Sequence, residues 1–428
     1  MTQKANKHKP VPSIADLIAK NQSQSEKTNL TQNKKEDATP LKTSNTELVK
    51  KYFNANYNFR YNTITDMPEW RTITNTRFEP LNDYKLNSLS FELESKGSNI
   101  STDKIFKLLK SDFVALVNPI KEYFNGLKVE EILTGNIKKL TQTVIVDNPT
   151  LFETHFTKWI VGVVANSLTH EGCQNHTCLV LTGDQGAYKT TWLTNLCPPS
   201  LKEYIFTGKI DVDKTDTQSM LSEFLIINID DQLRNLNRRD ENALKTLITL
   251  ESVKVRKPYD RMITKRPRVA SFCGSVNGND FLTDPSGSRR FLPFEVKNIN
   301  LRESQKIDMD TVWAEALQLF RNGFRYWFTK EEINEINNNN QEFEVTDIET
   351  ELLLELYEVI PRNSPESEEL TSSIILYNLE AHFKTKLSGK KLGDALSKLK
   401  FVRFGKKVNG SSRYLFAVKR RVIQENNR

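Results

Sequence analysis

The 428-residue chain holds only four cysteines, Cys173, Cys178, Cys197 and Cys273, too few for a disulfide framework at this length. No apolar run approaches the ~18 residues of a membrane span. The N-terminus lacks the apolar stretch of a secretory leader. These absences set aside disulfide-stapled, membrane-embedded and secreted classes and place the chain in the cytosol. No internal repeat is visible, which sets aside solenoids. What remains, 37% hydrophobic and 27% charged residues, fits a soluble protein with a large polar segment and roughly two or three domains. His170, Cys173, His176 and Cys178 crowd into nine residues. Structural zinc sites space their ligand pairs more widely, so this cluster reads as a polar turn before a core strand.

Residues 1–45 are polar and basic with almost no aromatics, and read as a disordered tail. Within them Ser13 could cap a short helix carrying Ile14, Leu17 and Ile18, a docking peptide for a replication partner or a transient helix. Residues 46–145 form a small α+β module. Strands are expected at Phe59–Ile64 and Trp70–Ile73, and a helix over 102–117. No catalytic signature appears there, so scaffold and nucleic-acid contact both stay open. Residues 149–168 predict a buried helix from the stripe Phe152, Phe156, Trp159, Ile160 and Val163. Residues 178–298 then alternate strand and helix patterns, the mark of a mostly parallel α/β core spanning 146–328.

The chemistry begins with Gly183-Asp184-Gln185-Gly186-Ala187-Tyr188-Lys189-Thr190, followed by Thr191, directly after the apolar run Cys178–Leu181. A strand running into a glycine-containing loop that ends in Lys-Thr and opens a helix is the P-loop pattern. Its backbone N–H groups and the helix end cradle phosphates, so glycines are favoured. Lys189 would reach the β- and γ-phosphates of ATP, and the Thr190 hydroxyl would sit on Mg²⁺. A second apolar run, Phe224–Ile229, ends in Asp230 and Asp231, 40 residues after Thr190. Asp230 would organise Mg²⁺ and Asp231 polarise the attacking water. The strand Val269–Val276 ends at Asn277, a candidate to position that water. Arg289 and Arg290 precede a further apolar strand and suit an arginine finger supplied by a neighbouring subunit. Arg256, Lys257, Tyr259 and Arg261 form a basic loop with one aromatic. It reads equally as a pore loop tracking a phosphate backbone and as a solvated face.

These residues resemble the virulence-associated protein E-like family of P-loop ATPases, related to superfamily 3 helicases of phages and mobile elements. The matching pieces are Gly183–Thr190, the Asp230/Asp231 strand, Arg256–Arg261, Asn277 and Phe281–Phe291, roughly residues 145–300. The resemblance implies an AAA+-like core, a homo-oligomeric ring such as a hexamer, Mg-ATP hydrolysis and a role in element replication. Tyr188 stands where the pattern has glycine, and Asp231 is shorter than the usual glutamate. Both predict slow turnover.

Charge polarises the C-terminal third. Glu331–Leu370 carries thirteen acids and one base, Arg362, and 329–370 reads as an acidic helical linker. It would be a spacer, or a cover for the basic domain when DNA is absent. Lys384–Arg428 carries fourteen bases and two acids. Two helices, 371–386 and 388–399, then strands Phe401–Phe404 and Arg413–Val418 around Asn409-Gly410, make a winged-helix pattern over 371–428. Lys390, Lys391, Arg403, Lys406, Lys407 and Arg413 are its nucleic-acid candidates. The whole chain thus predicts an α/β protein. A P-loop NTPase core of AAA+/superfamily 3 type joins a small N-terminal module and a C-terminal winged helix, acting on single-stranded or forked DNA. The alternatives are a slow ATP-binding regulatory switch on DNA, and a structural protein with a decayed ATPase fold.

Overall fold

The computed structural model describes residues 44–128, 134–169, 175–255, 262–283, 288–345, 347–408 and 411–421. The expected tail helix at Ser13–Ile18 lies outside them. The chain divides into two compact units, Met1–Phe59 with Glu69–Val114, and Arg60–Pro68 with Ala115–Arg428. Among the described residues no helix is long and apolar enough to cross a membrane.

The opening elements are α1 (Asn45–Asn56), β1 (Tyr57–Asn62), β2 (Met67–Thr72), β3 (Glu79–Pro80), α2 (Asp83–Ser95), α3 (Thr102–Leu109) and β4 (Ala115–Val117). In the first unit Ser44 and Asn82 cap α1 and α2 by accepting backbone N–H bonds, and Phe53, Leu89, Leu93, Ile105 and Leu109 are buried. The helix expected over 102–117 stops at Leu109. The Ser111 hydroxyl donates to the Leu108 carbonyl (2.6 Å) and accepts from the Phe113 N–H (3.3 Å), which turns the chain. Ala115–Val117 then pairs in parallel with Arg60–Asn62. β1 also ends earlier than expected. The buried Asn62 side chain accepts from the N–H groups of Ile64 and Thr65, making a side-chain turn that replaces strand pairing.

The second unit continues with α4 (Pro119–Gly126), α5 (Asn136–Thr141), β5 (Val144–Val146), α6 (Pro149–Leu168), β6 (Cys178–Thr182), α7 (Lys189–Asn195), β7 (Ile205–Gly208), α8 (Thr215–Met220), β8 (Ile226–Asp230), α9 (Arg238–Thr249), β9 (Ser252–Val255), β10 (Thr264–Pro267), β11 (Ser271–Ser275) and β12 (Phe291–Ile299). Its centre is a six-stranded sheet in the order β5-β12-β6-β11-β8-β7. β12, β6, β11, β8 and β7 run parallel, and β5 closes one edge antiparallel. Both faces are covered, so the strands read as continuous apolar runs. Alternation splits each strand between two cores. Leu179, Leu181, Cys273 and Leu292 meet α6 and α11 (Met309–Arg321); Cys178, Val180, Ile227 and Phe272 meet α9. α6 is buried along most of its length. It ties itself to β11 through the Trp159 indole, which donates to the Phe272 carbonyl at 2.9 Å. The short α10 (Leu301–Ser304) links β12 to α11.

Next come α12 (Lys330–Asn340), α13 (Ile348–Leu356), β13 (Tyr357–Val359), β14 (Glu368–Leu370), α14 (Ser372–Phe383), α15 (Gly389–Lys398), β15 (Val402–Val408) and β16 (Ser411–Arg420). The acidic stretch is not a linker. β13, β14 and β15 all pair with β16, and Leu353, Leu356 and Tyr357 share one core with Ile375, Leu379, Leu392, Leu396 and Val418. Its acids face the bases beyond: Asp347 pairs with Lys391 at 2.8 Å, Glu344 with Lys398 at 2.5 Å, and Glu369 with Lys406.

Candidate functional site

Three parallel strands, β6, β11 and β8, end side by side, and their C-terminal ends carry the polar residues. Register sets Ser275 beside both Leu181 and Asp230. The loop after β6 needs glycine twice. Gly183 has φ +118°, and a Cβ there would lie 2.6 Å from the Val296 carbonyl oxygen; Gly186 has φ +87°. Tyr188 also takes the left-handed conformation, φ 59°, which costs a residue with a Cβ about 1–2 kcal/mol. Its side chain is 58% exposed, so the departure from glycine is felt by the backbone. α7 starts at the next residue.

Lys189 is buried. Its ammonium donates to the carbonyls of Gly183 (2.9 Å) and Asp184 (2.6 Å) and to Asn277 Oδ1 (3.4 Å). Burial pulls its pKa down, against the opposing pull of Asp184, Asp231 and Asp230. The Thr190 hydroxyl donates to Asp230 Oδ1 at 2.7 Å. The Ser275 hydroxyl donates to the same oxygen at 2.8 Å, and the two hydroxyls lie 2.8 Å apart. Asp231 follows in a left-handed conformation, φ 46°, with its N–H donating to the Ser275 carbonyl. Asn228 is turned the other way, toward the Thr190 carbonyl and Thr194 on α7. Gln185, Gly186, Ala187, Tyr188, Lys189, Thr190, Thr191, Asp230, Asp231, Ser275 and Asn277 line one cavity of about 380 Å³, within the usual range of ligand pockets.

Two residues escaped the sequence reading. Ser275 is the last residue of β11, two before Asn277, and that two-residue spacing was the signal for it. Arg234 donates to the Asn277 carbonyl at 3.1 Å, and reciprocal backbone bonds join Gly278 to Gly183. No pattern in sequence announces either of those contacts.

Arg289 and Arg290 are elsewhere. They form the short turn before β12, whose first residue Phe291 is in register with Cys178 at the start of β6. The cavity lies at the other ends of these strands, about 15 Å away at ~3.3 Å per residue. The pair lines a separate hollow of about 500 Å³ with His176, Tyr326, Trp327 and Phe328. Burial and the neighbouring Arg289 charge lower the Arg290 pKa. The Asn340 amide fixes the turn by donating to the carbonyls of Ser288 and Phe291.

Arg256, Lys257, Tyr259 and Arg261 lie outside the described residues; the flanking β9 and β10 pair antiparallel. Lys390 is exposed on the first turn of α15. Lys391 and Lys406 are taken up in ion pairs, whereas Arg403, Lys407 and Arg413 are exposed on the β15–β16 hairpin. Cys178 is wholly buried in β6, where burial pushes its thiol up; His170 and Cys173 lie outside the described residues.

The fold is similar to the apo structure of the NrS-1 C-terminal region (305–718), with a TM-score of 0.50 and 13% identity over 90% of this chain and all of that one. Two A-form apo structures of the same region align at TM-scores of 0.47 (14% identity, 88% of this chain and 99% of that one) and 0.46 (13%, 87% and 98%). No curated protein sequence matches. The virulence-associated protein E-like domain matches residues 128–345, just over half of the chain and the whole stretch that carries the cavity residues. The chain therefore belongs to the virulence-associated protein E-like domain family.

Proposed function

We propose that the chain is an ATP-driven DNA helicase or translocase acting in phage or mobile-element replication, with a P-loop NTPase core and a winged-helix C-terminal domain. The observation that carries this is the hydrogen-bonded convergence of Lys189, Thr190, Asp230, Ser275 and Asn277 in one cavity at adjacent strand ends. An ammonium behind a glycine loop suits phosphate oxygens. Two hydroxyls and a carboxylate within 2.8 Å of one another form the oxygen donor set that Mg²⁺ accepts. Bound Mg-ATP supplies the phosphoryl group. Lys189 neutralises its charge, Thr190 and Asp230 hold the metal, Asp231 orients water and Asn277 reads the γ-phosphate side.

The Arg289/Arg290 turn supports assembly. It sits at the opposite end of the strands from the cavity of its own chain, so acting on phosphate requires a neighbouring copy. A head-to-tail contact of that kind builds a ring when its rotation closes. Tyr188 and Asp231, both left-handed without being glycine, flank the cavity and favour a second reading, a switch on DNA that binds ATP and turns it over slowly. ATP hydrolysis with and without forked DNA tests both. Lys189→Ala is expected to abolish DNA-stimulated hydrolysis while leaving DNA binding intact. A wild-type protein that hydrolyses no ATP on any nucleic acid refutes the helicase reading, and ATP-dependent assembly without unwinding selects the switch.

A further inference from the structure

The two faces of the β15–β16 hairpin differ in chemistry. Register sets Gly405 opposite Tyr414, Arg403 opposite Phe416 and Lys407 opposite Ser412, so Arg403, Gly405, Lys407 and Tyr414 share one face. Phe404, Lys406 and Arg413 share the other. Two groups on that second face are engaged within the protein: the Arg362 guanidinium lies 3.9 Å from the Phe404 ring centroid, and Lys406 pairs with Glu369.

The first face is buried at Phe416, which joins the domain core, and is left open from Tyr414 toward the hairpin tip. The Arg403 guanidinium lies 4.0 Å from the centre of the Tyr414 ring, yet the tyrosine remains 63% exposed. Gly405, directly across, has no side chain to cover the ring, and a Cβ built there meets nothing within 4 Å. Arg403 and Lys407 make no ion pair among the described residues. Neighbouring lysines on the same domain are neutralised by Asp347, Glu344 and Glu366. An uncovered aromatic ring backed by a guanidinium, with uncompensated cations beside it, is the make-up of a base-stacking platform.

We propose that this face binds single-stranded nucleic acid. Tyr414 stacks on one unpaired base, and Arg403 and Lys407 hold the flanking phosphates. A duplex keeps its base faces stacked inside, so the platform selects an unpaired strand. The inference rests on the reading of the chain as a DNA-acting protein, but it involves neither ATP nor Lys189.

The test uses the full chain and an oligodeoxynucleotide carrying 2-aminopurine, whose fluorescence falls when the base stacks, as a single strand and as a duplex. Tyr414→Ala is expected to lower single-strand affinity roughly tenfold to a hundredfold and to remove the quench. Duplex affinity should stay within about twofold of wild type, because a paired base offers Tyr414 no free face to stack on. Tyr414→Phe keeps the ring and should keep the signal. Gly405→Leu, which covers the ring without removing a charge, should weaken it. Because Tyr414 is exposed, the Tyr414→Ala melting temperature should match wild type. Unchanged single-strand binding in Tyr414→Ala, or equal loss on both DNA forms, overturns the platform. Wild-type protein that binds neither form overturns the DNA reading as well.

Discussion

Lys245 and Glu241 face each other one turn apart on α9 at 2.7 Å, with side chains only 5% and 3% exposed. Glu241 Oε2 also accepts the Thr283 N–H at 2.7 Å and the Thr283 hydroxyl at 2.5 Å. The pair therefore anchors Thr283, which follows Phe281 and Leu282. Lys245→Met keeps most of the alkyl stem and deletes the cation, leaving a buried carboxylate whose charge is uncompensated by its α9 partner. Breaking one side of a buried pair costs about 3–5 kcal/mol. At about 2.1 cal/mol/K of unfolding entropy per residue, a unit of this size shifts by roughly 1.5 °C per kcal/mol, so the melting temperature should fall by roughly 5–8 °C. Glu241→Gln removes the charge but leaves an amide oxygen for Thr283. The double variant should therefore be more stable than Lys245→Met alone, with a coupling energy of about 2 kcal/mol. Thermal unfolding of the four proteins in one buffer gives the cycle. A Lys245→Met protein within about 1 kcal/mol of wild type, or strictly additive variants, refutes the assignment of this pair as an anchor.

Gly183→Ala should destabilise the chain by more than about 3 kcal/mol, because the new Cβ meets the Val296 carbonyl and the backbone stays at φ +118°; a melting curve like wild type contradicts it. His155 is buried between Phe294 and Phe328, and burial lowers its pKa to about 4. The unfolded chain then binds more protons below pH ~6.5, so stability is complete above that value and falls as pH drops toward 4, by about 3 kcal/mol in all. His155→Phe should flatten that part of a stability–pH profile, and an unchanged slope would assign the loss to other groups.

Much of the core was legible because buried parallel strands are written as apolar runs and their polar ends stand out. Cys178–Leu181 before the glycine loop, Phe224–Ile229 before two acids and the strand before Asn277 all fall on sheet neighbours. What stayed hidden depends on partners distant in sequence. Glu368-Glu369-Leu370 has no strand pattern of its own; it pairs with β16, and Glu369 meets Lys406. Ser275 gains its place in the site only because β8 sets Asp230 beside it. The end of the helix at Leu109 turned on the Ser111 hydroxyl, a local competitor that apolar periodicity does not register. The position of Arg289 and Arg290 follows from β12 lying parallel to β6, a fact of topology that the motif order alone does not contain.

The strands contributed by the acidic stretch decide where this protein can be cut. An excision beginning at Thr371, the border that charge alone suggests, discards α13, β13 and β14. It would uncover the apolar surface that Leu353, Leu356 and Tyr357 seal, and leave Lys391 and Lys406 without their counter-charges. A graft of the C-terminal domain onto another protein has to begin near Asp347. There the chain has just crossed the Leu282–Glu344 bridge to the core, and a splice keeps β13 and β14 with β16 while giving up the Glu344–Lys398 ion pair.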